Sequence, residues 1–390
     1  MSSGLLKEAE DMKEKLSSWR RTLHRNPEAG LSLPETVKFV KEQLEEEGVE
    51  CSVYDECSCV TAQIGRGGSC FLLRSDMDAL PMQEESKEPF ASQNGCMHSC
   101  GHDLHTAILL GAARLLKAHE HELKGTVKLL FQSGEEIFEG AQAAIDAGVL
   151  EDPHVDAAFA MHVASAMTNN VVIYGPHPMA AVYGFRITLK GQGAHGSTPQ
   201  LGVDPINTGV HIHLALQELI SREIASTEEA ALTIGRFAAG SAANIIPERA
   251  VLEGTLRAFR PEIKDRLVKR IHEVVHSVAK AYRTEAEIDV LSSVPPVECD
   301  EELNKEVVDS IKKLDDGIDV LPLYHVMGSE DFAFISEKIP ASYFCIGAGI
   351  DDKSQWYGQH NPNVRFNENC LPLGAAIYAG TAMDWLASRS

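Results

Sequence analysis

The chain is short of positive charge and has no long apolar run. Lys and Arg number 35 against 57 Asp and Glu in 390 residues, a formal net charge of −22. Nucleic acid and anionic membranes bind basic surfaces, so the balance argues against both as partners. No apolar stretch approaches the roughly 20 residues that span a bilayer. Met1 to Leu16 is charged and amphipathic, without the apolar core of a secretory signal. The nine cysteines are an odd number, and Cys57, Cys59, Cys96 and Cys100 are spaced too irregularly for a four-cysteine zinc site. A reducing, cytoplasmic setting is expected. Internal repeats and low-complexity tracts are also missing. So is the Gly-x-Ser-x-Gly elbow of a serine hydrolase, and Gly65 to Gly68 lacks the Lys-Ser/Thr of a P-loop.

What is present is long enough for two domains. Helical patterns run over Met12 to Leu23 and from Pro34 to Glu47. Short strands follow at Cys51–Tyr54, Val60–Ile64 and Cys70–Arg74. A helix over Thr106 to Leu116, a strand from Thr126 to Phe131, a helix around Ala141 to Ala147 and a strand from Ala157 to Met161 come next. This alternation predicts an α/β catalytic domain with a mostly parallel sheet. From Tyr183 to Lys190 the period becomes two. Strands at Ala230–Phe237 and Val251–Phe259 and helices at Pro205–Ser221 and Lys264–Tyr282 predict an inserted α+β domain, two helices on an antiparallel sheet. The expected boundaries are 1–181 with 292–390 for the discontinuous catalytic domain and 182–291 for the insertion. A strand over Ser342–Ile346 and a helix over Leu373–Leu386 close the chain.

The densest chemistry is Met97-His98-Ser99-Cys100-Gly101-His102-Asp103-Leu104-His105. It offers three histidines, a cysteine and an aspartate to a divalent metal, at the entry to a helix. Asp103 is expected as the N-cap, and the helix N-terminus is expected to favour a Cys100 thiolate. Other strands also hand over to polar residues: Arg74 to Asp76-Met77-Asp78, Phe131 to Glu135-Glu136, and Met161 to His162. In open α/β sheets, sites form beyond the carboxyl ends of the strands, so these segments converge. Of two adjacent glutamates, one can hold a metal while the other faces its water. Taken singly, each feature has a bland alternative: a solvated acidic pair, a core histidine or a polar helix cap. Asp76 and Asp78 point to alternate faces, which suits carboxylates that orient ligand histidines. His360, in a late turn, is not singled out by spacing.

These residues resemble the M20 peptidase family, and more closely its branch of N-acyl-amino-acid, hippurate and auxin-conjugate hydrolases. The motifs are Trp19-Arg-Arg-Thr-Leu-His24-Arg-Asn-Pro-Glu28, Arg74-Ser-Asp-Met-Asp-Ala-Leu-Pro81, the cluster at Met97 to Thr106, and Phe131-Gln-Ser-Gly-Glu-Glu136. Gly193-Ala-His-Gly-Ser-Thr-Pro199, Asn244-Ile-Ile-Pro247, Gly254-Thr-Leu-Arg257, Met327-Gly-Ser-Glu-Asp-Phe332 and His360-Asn-Pro follow in family order. The resemblance implies a metal-dependent amidohydrolase with two divalent ions (Mn, Zn, Co or Ni). Cys100, His102, Glu136, His162 and His360 would be ligands, Glu135 the general base, and Asp76 and Asp78 their supports. The insertion would be a lid and dimerisation domain whose His195, Asn244 and Arg257 reach the substrate, with His195 acting in cis or across a two-fold pair. The implied assembly is a homodimer or a higher homo-oligomer, and the implied substrate an N-acyl amino acid. Ser133-Gly134 departs from the family's usual Pro-Ala, which bears on pocket shape and leaves base and ligand intact. A dipeptidase or aminopeptidase on the same scaffold, a silent binding protein and a thiol hydrolase are the alternatives.

Overall fold

A computed structural model describes residues 2–390. Two amphipathic helices begin the chain, α1 (Ser2–Asp11) and α2 (Lys13–Arg25), followed by α3 (Pro34–Glu46) with proline in its first turn. Next come β1 (Cys51–Tyr54), β2 (Cys59–Gly65), β3 (Cys70–Asp76), α4 (His102–Ala118), β4 (Thr126–Gln132), α5 (Gly140–Asp146), β5 (Ala157–Ala164) and β6 (Val171–Tyr174). The middle of the chain holds β7 (Ala181–Lys190), β8 (Ala194–His195), α6 (Pro205–Arg222), β9 (Ala230–Ala239), β10 (Ile245–Ile246), β11 (Arg249–Ala258), α7 (Pro261–Ala281) and β12 (Glu285–Val294). The chain ends with α8 (Glu301–Leu314), β13 (Asp319–Leu321), α9 (Ala333–Ser336), β14 (Ala341–Gly347) and α10 (Cys370–Ala387).

The chain divides into two compact units. The first comprises Met1–Pro178, Glu298–His325 and Asp331–Ser390; the second comprises Met179–Val297 and Val326–Glu330. The first unit is built on an eight-stranded sheet, ordered β1-β2-β4-β3-β5-β14-β6-β13. Its centre, β4-β3-β5-β14, is parallel throughout. Every residue of β3, β4 and β14 is buried, as expected for central strands covered on both faces. Helix α10 packs on α4 and α2, and its own sequence is apolar nearly all round, so it is buried rather than amphipathic.

The second unit is a four-stranded antiparallel sheet, β12-β7-β11-β9, with a separate β8-β10 pair. Leu216 and Leu219 of α6 and Leu267, Ile271 and Val275 of α7 share one core with Phe185, Ile187 and Leu252 of the sheet. Asp204 caps α6, accepting from the N–H groups of Ile206 and Asn207.

Three sequence expectations need amendment. The first helical stretch begins at Ser2 and breaks at Met12, where two amphipathic patterns run together. Helix α4 begins at His102, four residues before its apolar stripe, so the last two histidines of the cluster lie inside it. Strand β12 and helix α8 are additions to the sequence expectation; Glu285 to Val290 alternates polar and apolar, with Ala286 and Ile288 turned to the core of the second unit. No helix is long and apolar enough to cross a membrane.

Gly347 closes β14 against the chain near Thr168. A Cβ there would lie 1.8 Å from the Thr168 carbonyl oxygen, a backbone atom that cannot swing aside. Gly347→Ala is expected to cost about 1–3 kcal/mol through overpacking. In urea unfolding it should lower the midpoint with an unchanged slope; an unchanged midpoint would contradict this packing.

Candidate metal centre

Strands β3, β4 and β5 are parallel neighbours, so their carboxyl ends lie along one edge of the sheet. Asp76 ends β3, Glu135-Glu136 follows β4, and His162 lies near the carboxyl end of β5. The turn into α4 supplies Cys100 and His102. Gly101 makes that turn: its φ is 94°, and a Cβ would stand 2.5 Å from Val163 Cγ2 and 3.2 Å from the Phe366 ring. Only glycine fits both demands.

The donor atoms gather in overlapping groups, each within 4.8 Å of one another: Cys100, His102 and His162; Cys100, Glu136 and His360; His102, Glu135 and Glu136. Cys100 is common to the first two, with its Sγ 3.4 Å from His162 Nε2. His360 Nε2 lies 3.4 Å from Glu136 Oε2. The structure therefore brings together Cys100, His102, Glu135, Glu136, His162 and His360, with Asp76 and Asp78 beside them.

Each buried imidazole is fixed by its second nitrogen. His102 Nδ1 donates to the Asp78 carbonyl oxygen at 2.9 Å, and His162 Nδ1 donates to the Val163 carbonyl oxygen at 2.7 Å. That assigns the proton to Nδ1 in both rings and leaves Nε2 with its lone pair. His102 Nε2 is buried without a hydrogen-bond partner, and so is Glu136 Oε1. Around His102 Nε2 stand Asp76 Oδ1 at 3.7 Å, Glu135 Oε2 at 3.8 Å and Glu136 Oε1 at 3.9 Å. Those separations are too long for hydrogen bonds and suit donors that share a cation. The unsatisfied buried atoms and the mixed S, N and O donor set fit a divalent metal.

The electrostatics also favour a cation. Burial opposes ionisation of Asp76, but His102, Arg74 and His105 outweigh it and hold the carboxyl well below the usual range. Hydrogen bonding to Cys100 and Glu136 raises His360 to about 10, so its surroundings stabilise positive charge. Burial, reinforced by neighbouring His105, keeps His162 neutral. For Cys100, burial and then the Glu136 charge push the thiol up, outweighing His102 and His360. The helix N-terminus therefore does not ionise this thiol unaided.

Supporting residues that sequence reasoning missed surround the centre. His105 is turned away from ligation: its Nδ1 donates to Asp76 Oδ1 at 2.5 Å and its Nε2 accepts the Val163 N–H at 2.9 Å. Arg74 donates from Nη1 to Asp76 Oδ2 at 2.7 Å, from Nε to Gln132 and from Nη2 to Asp331. Asp331 Oδ2 in turn accepts the Ala141 N–H at the start of α5. Asp78 Oδ2 accepts the Glu136 N–H at 3.1 Å, so this aspartate orients both His102 and the second glutamate.

Asp103 is not the N-cap of α4; that position is Gly101 and makes no side-chain cap. The carboxylate is fully buried and binds Arg20 Nε at 2.6 Å and His24 Nδ1 at 2.8 Å. His24 Nε2 reaches Glu84 Oε1 at 3.0 Å. With a carboxylate oxygen at each nitrogen, the His24 ring donates twice and is charged. Burial and Arg20 oppose that charge, yet Asp103 and Glu84 raise its pKa. This network anchors α2 to the first turn of α4.

In the second unit, His195 and Asn244 are brought together. Ile245 pairs with His195 across β8-β10, and the Gly196 N–H donates to the Asn244 carbonyl oxygen at 2.7 Å. His195 is exposed, its Nδ1 bonded to the Ser197 hydroxyl at 2.7 Å. Arg257 is placed elsewhere, on β11 opposite Val182 and Ala231, and donates to the Ser329 hydroxyl.

A centre of buried S, N and O donors beside a pair of glutamates, at the carboxyl edge of a parallel sheet, defines a metallohydrolase-type site. The chain belongs to peptidase family M20/M25/M40, whose model matches residues 72–384. It is 37% identical over 382 residues to IAA-amino acid hydrolase ILR1-like 4 of Arabidopsis thaliana, covering 94% of this chain and 84% of that protein. It is 36% identical over 374 residues to N-acetylcysteine deacetylase of Bacillus subtilis (strain 168), covering 95% and 96%. A solved Bacillus subtilis structure, described as a dinuclear metal-binding peptidase of the M20 family, superposes with a TM-score of 0.83. Its identity is 32%, and the match covers 97% of this chain and 99% of that one.

Removing the Asp103 carboxylate would leave Arg20 and His24 buried without their partner. Asp103→Ala should cost about 3–5 kcal/mol, the range for breaking a buried ion pair. Denaturant unfolding measures it, and a loss below about 1 kcal/mol would contradict the anchoring role.

Proposed function

We propose that this protein is a metal-dependent amidohydrolase that cleaves N-acyl amino acids to a carboxylate and a free amino acid. The observation that carries the metal centre is the buried donor cluster centred on Cys100, with His102 Nε2 and Glu136 Oε1 left unpaired. The substrate class is supported by the two relatives above, one a hydrolase of IAA-amino acids and the other a deacetylase of N-acetylcysteine.

In this reading Cys100, His102, Glu136, His162 and His360 would hold two divalent ions, Cys100 being common to the two donor groups. When bound, the ions supply Lewis acidity toward the amide carbonyl and lower the pKa of the attacking water. Glu135 takes that water's proton and delivers it to the leaving nitrogen. Its neighbour Glu136 is held in place by Asp78, whose Oδ2 accepts the Glu136 backbone N–H. Asp76 and Asp78 orient the ligands, Asp76 through His105 and Asp78 through His102. His195, Asn244 and Arg257 are the proposed substrate-binding residues of the second unit, with His195 the oxyanion donor. The free thiol state of all nine cysteines supports a reducing, cytoplasmic setting.

We further read the second unit as the dimerisation domain. Ile206, Val210 and Leu214 form an exposed stripe along α6 at i, i+4 and i+8, and β9 is an edge strand of its sheet. An apolar stripe and an unpaired edge on one unit suit an isologous two-fold contact with a second copy.

The two glutamates separate by experiment. Glu135→Gln should keep its metal and lose most turnover, on the order of 10²–10⁴-fold, because only proton transfer is removed. Glu136→Gln should lose metal. Equal metal loss in both, by metal analysis of the purified variants, would contradict the role assignment.

Arg257 and Asn244 read as partners for the substrate's α-carboxylate. N-acetyl amino acids should then be cleaved at least about 10²-fold faster, in kcat/KM, than their α-amides, since removing a charge partner costs 2–5 kcal/mol. Equal rates on acid and amide would contradict this assignment, and full activity after chelation would contradict the metal chemistry itself.

A further inference from the structure

Strand β5 pairs with β3 only as far as Ala160 opposite Arg74. Beyond that point side chains take over the backbone of Val163. Its N–H donates to His105 Nε2 at 2.9 Å. Its carbonyl oxygen accepts from His162 Nδ1 at 2.7 Å and from Gln359 Nε2 at 2.7 Å. A carbonyl oxygen has two lone pairs, so this one is filled.

Gln359 immediately precedes His360, the least supported of the proposed ligands. The His360 side chain is 54% exposed, and its backbone sits at φ 65°, a left-handed conformation that residues with a Cβ seldom adopt. It stands in a loop between a 3₁₀ turn at Lys353–Gln355 and helix α10. His102 and His162, by contrast, lie within α4 and β5, and Cys100 two residues before α4. Besides Gln359, that loop is tied by the His360 N–H to the Ser99 carbonyl oxygen, long at 3.3 Å, by the Ser165 hydroxyl to the Tyr357 carbonyl oxygen at 2.7 Å, and, two residues beyond His360, by the Glu85 N–H to the Pro362 carbonyl oxygen at 2.8 Å.

We propose that Gln359 is a positioning residue that clamps the His360 loop to the same carbonyl oxygen that orients His162. One peptide group then holds the two ligand groups, Cys100/His102/His162 and Cys100/Glu136/His360, in register. The inference rests on the two-metal reading above. Without the amide donor, the left-handed backbone at His360 loses its short side-chain anchor and keeps only the long Ser99 bond at that residue, so Nε2 is less firmly held near Glu136 and Cys100. His162 keeps its own bond to Val163, so the first position survives. The expected signature is asymmetric: one metal position weakens and the other does not. A glutamine that only stabilised the fold would not distinguish them.

The test uses the full chain, stripped with chelator and titrated with cobalt(II), with bound metal counted by equilibrium dialysis. Wild type should bind two ions. Gln359→Glu keeps the size and removes the donor, and Gln359→Met does so without charge. In each, one ion should bind as in wild type and the other roughly 10–100-fold more weakly, as for partners that orient a ligand. Gln359→Lys restores an N–H donor on a stem of similar reach and should recover most of that loss. Wild-type affinity for both ions in the Glu and Met variants would overturn the proposal, and so would equal weakening of both ions. Fewer than two ions in wild type would instead contradict the two-metal reading, and the clamp with it.

Discussion

The centre depends on two backbone carbonyls, those of Asp78 and Val163. Each takes the Nδ1–H of one imidazole and so decides which nitrogen of His102 and His162 is available. Neither bond is strong by itself, but a ring fixed at one nitrogen points its other lone pair in one direction only. The remaining features make those two carbonyls reliable. Asp78 lies two residues beyond a fully buried parallel strand, and Val163 is held at both N–H and C=O. Preorganisation of this kind holds His102 Nε2 3.7–3.9 Å from the Asp76, Glu135 and Glu136 oxygens, beyond hydrogen-bond reach.

The second requirement is charge compensation. Asp76, Asp78, Asp103, Glu135 and Asp331 are all buried at or near the edge that carries the site. Buried carboxylates persist only when paired. Arg74 neutralises Asp76 and Asp331, while Arg20 and charged His24 neutralise Asp103 and Glu84. The arginines thus pair the flanking carboxylates, while Glu136 Oε1 at the site is left without a hydrogen-bond partner. A bound cation would complete the same balance, because the acidic surroundings that raise the pKa of His102 and His360 favour positive charge there.

Much of this was legible in the sequence for a simple reason. Parallel strands read as apolar runs, and their carboxyl ends carry the polar residues, so Asp76, Glu135, Glu136 and His162 announced themselves by following Leu73, Phe131 and Met161. The Met97–His105 cluster was dense enough to stand out unaided. What stayed hidden depends on contacts between residues far apart in the chain. His105 looks like a ligand in sequence and is a support in space, because both its nitrogens are occupied by Asp76 and Val163. Asp103 looked like a helix cap and is a buried anchor for Arg20. His360 and Gln359 lie in a loop with no periodicity, and their importance comes from where the loop is tied, not from its pattern. Strand β12 alternates from Glu285 to Val290 but breaks the period at Leu291, and its Ala286 and Ile288 are only partly buried, so its signal is weaker than that of the core strands.

The central claim is that two metal ions share the Cys100 sulfur. X-ray absorption at the metal edge of the protein loaded with two zinc ions per chain tests it most directly. The account predicts sulfur at about 2.3 Å, with nitrogen and oxygen nearer and a second metal at about 3.5–4 Å, the sulfur shell vanishing in Cys100→Ala. A spectrum of nitrogen and oxygen alone, or a fully loaded protein with no metal neighbour, would contradict it.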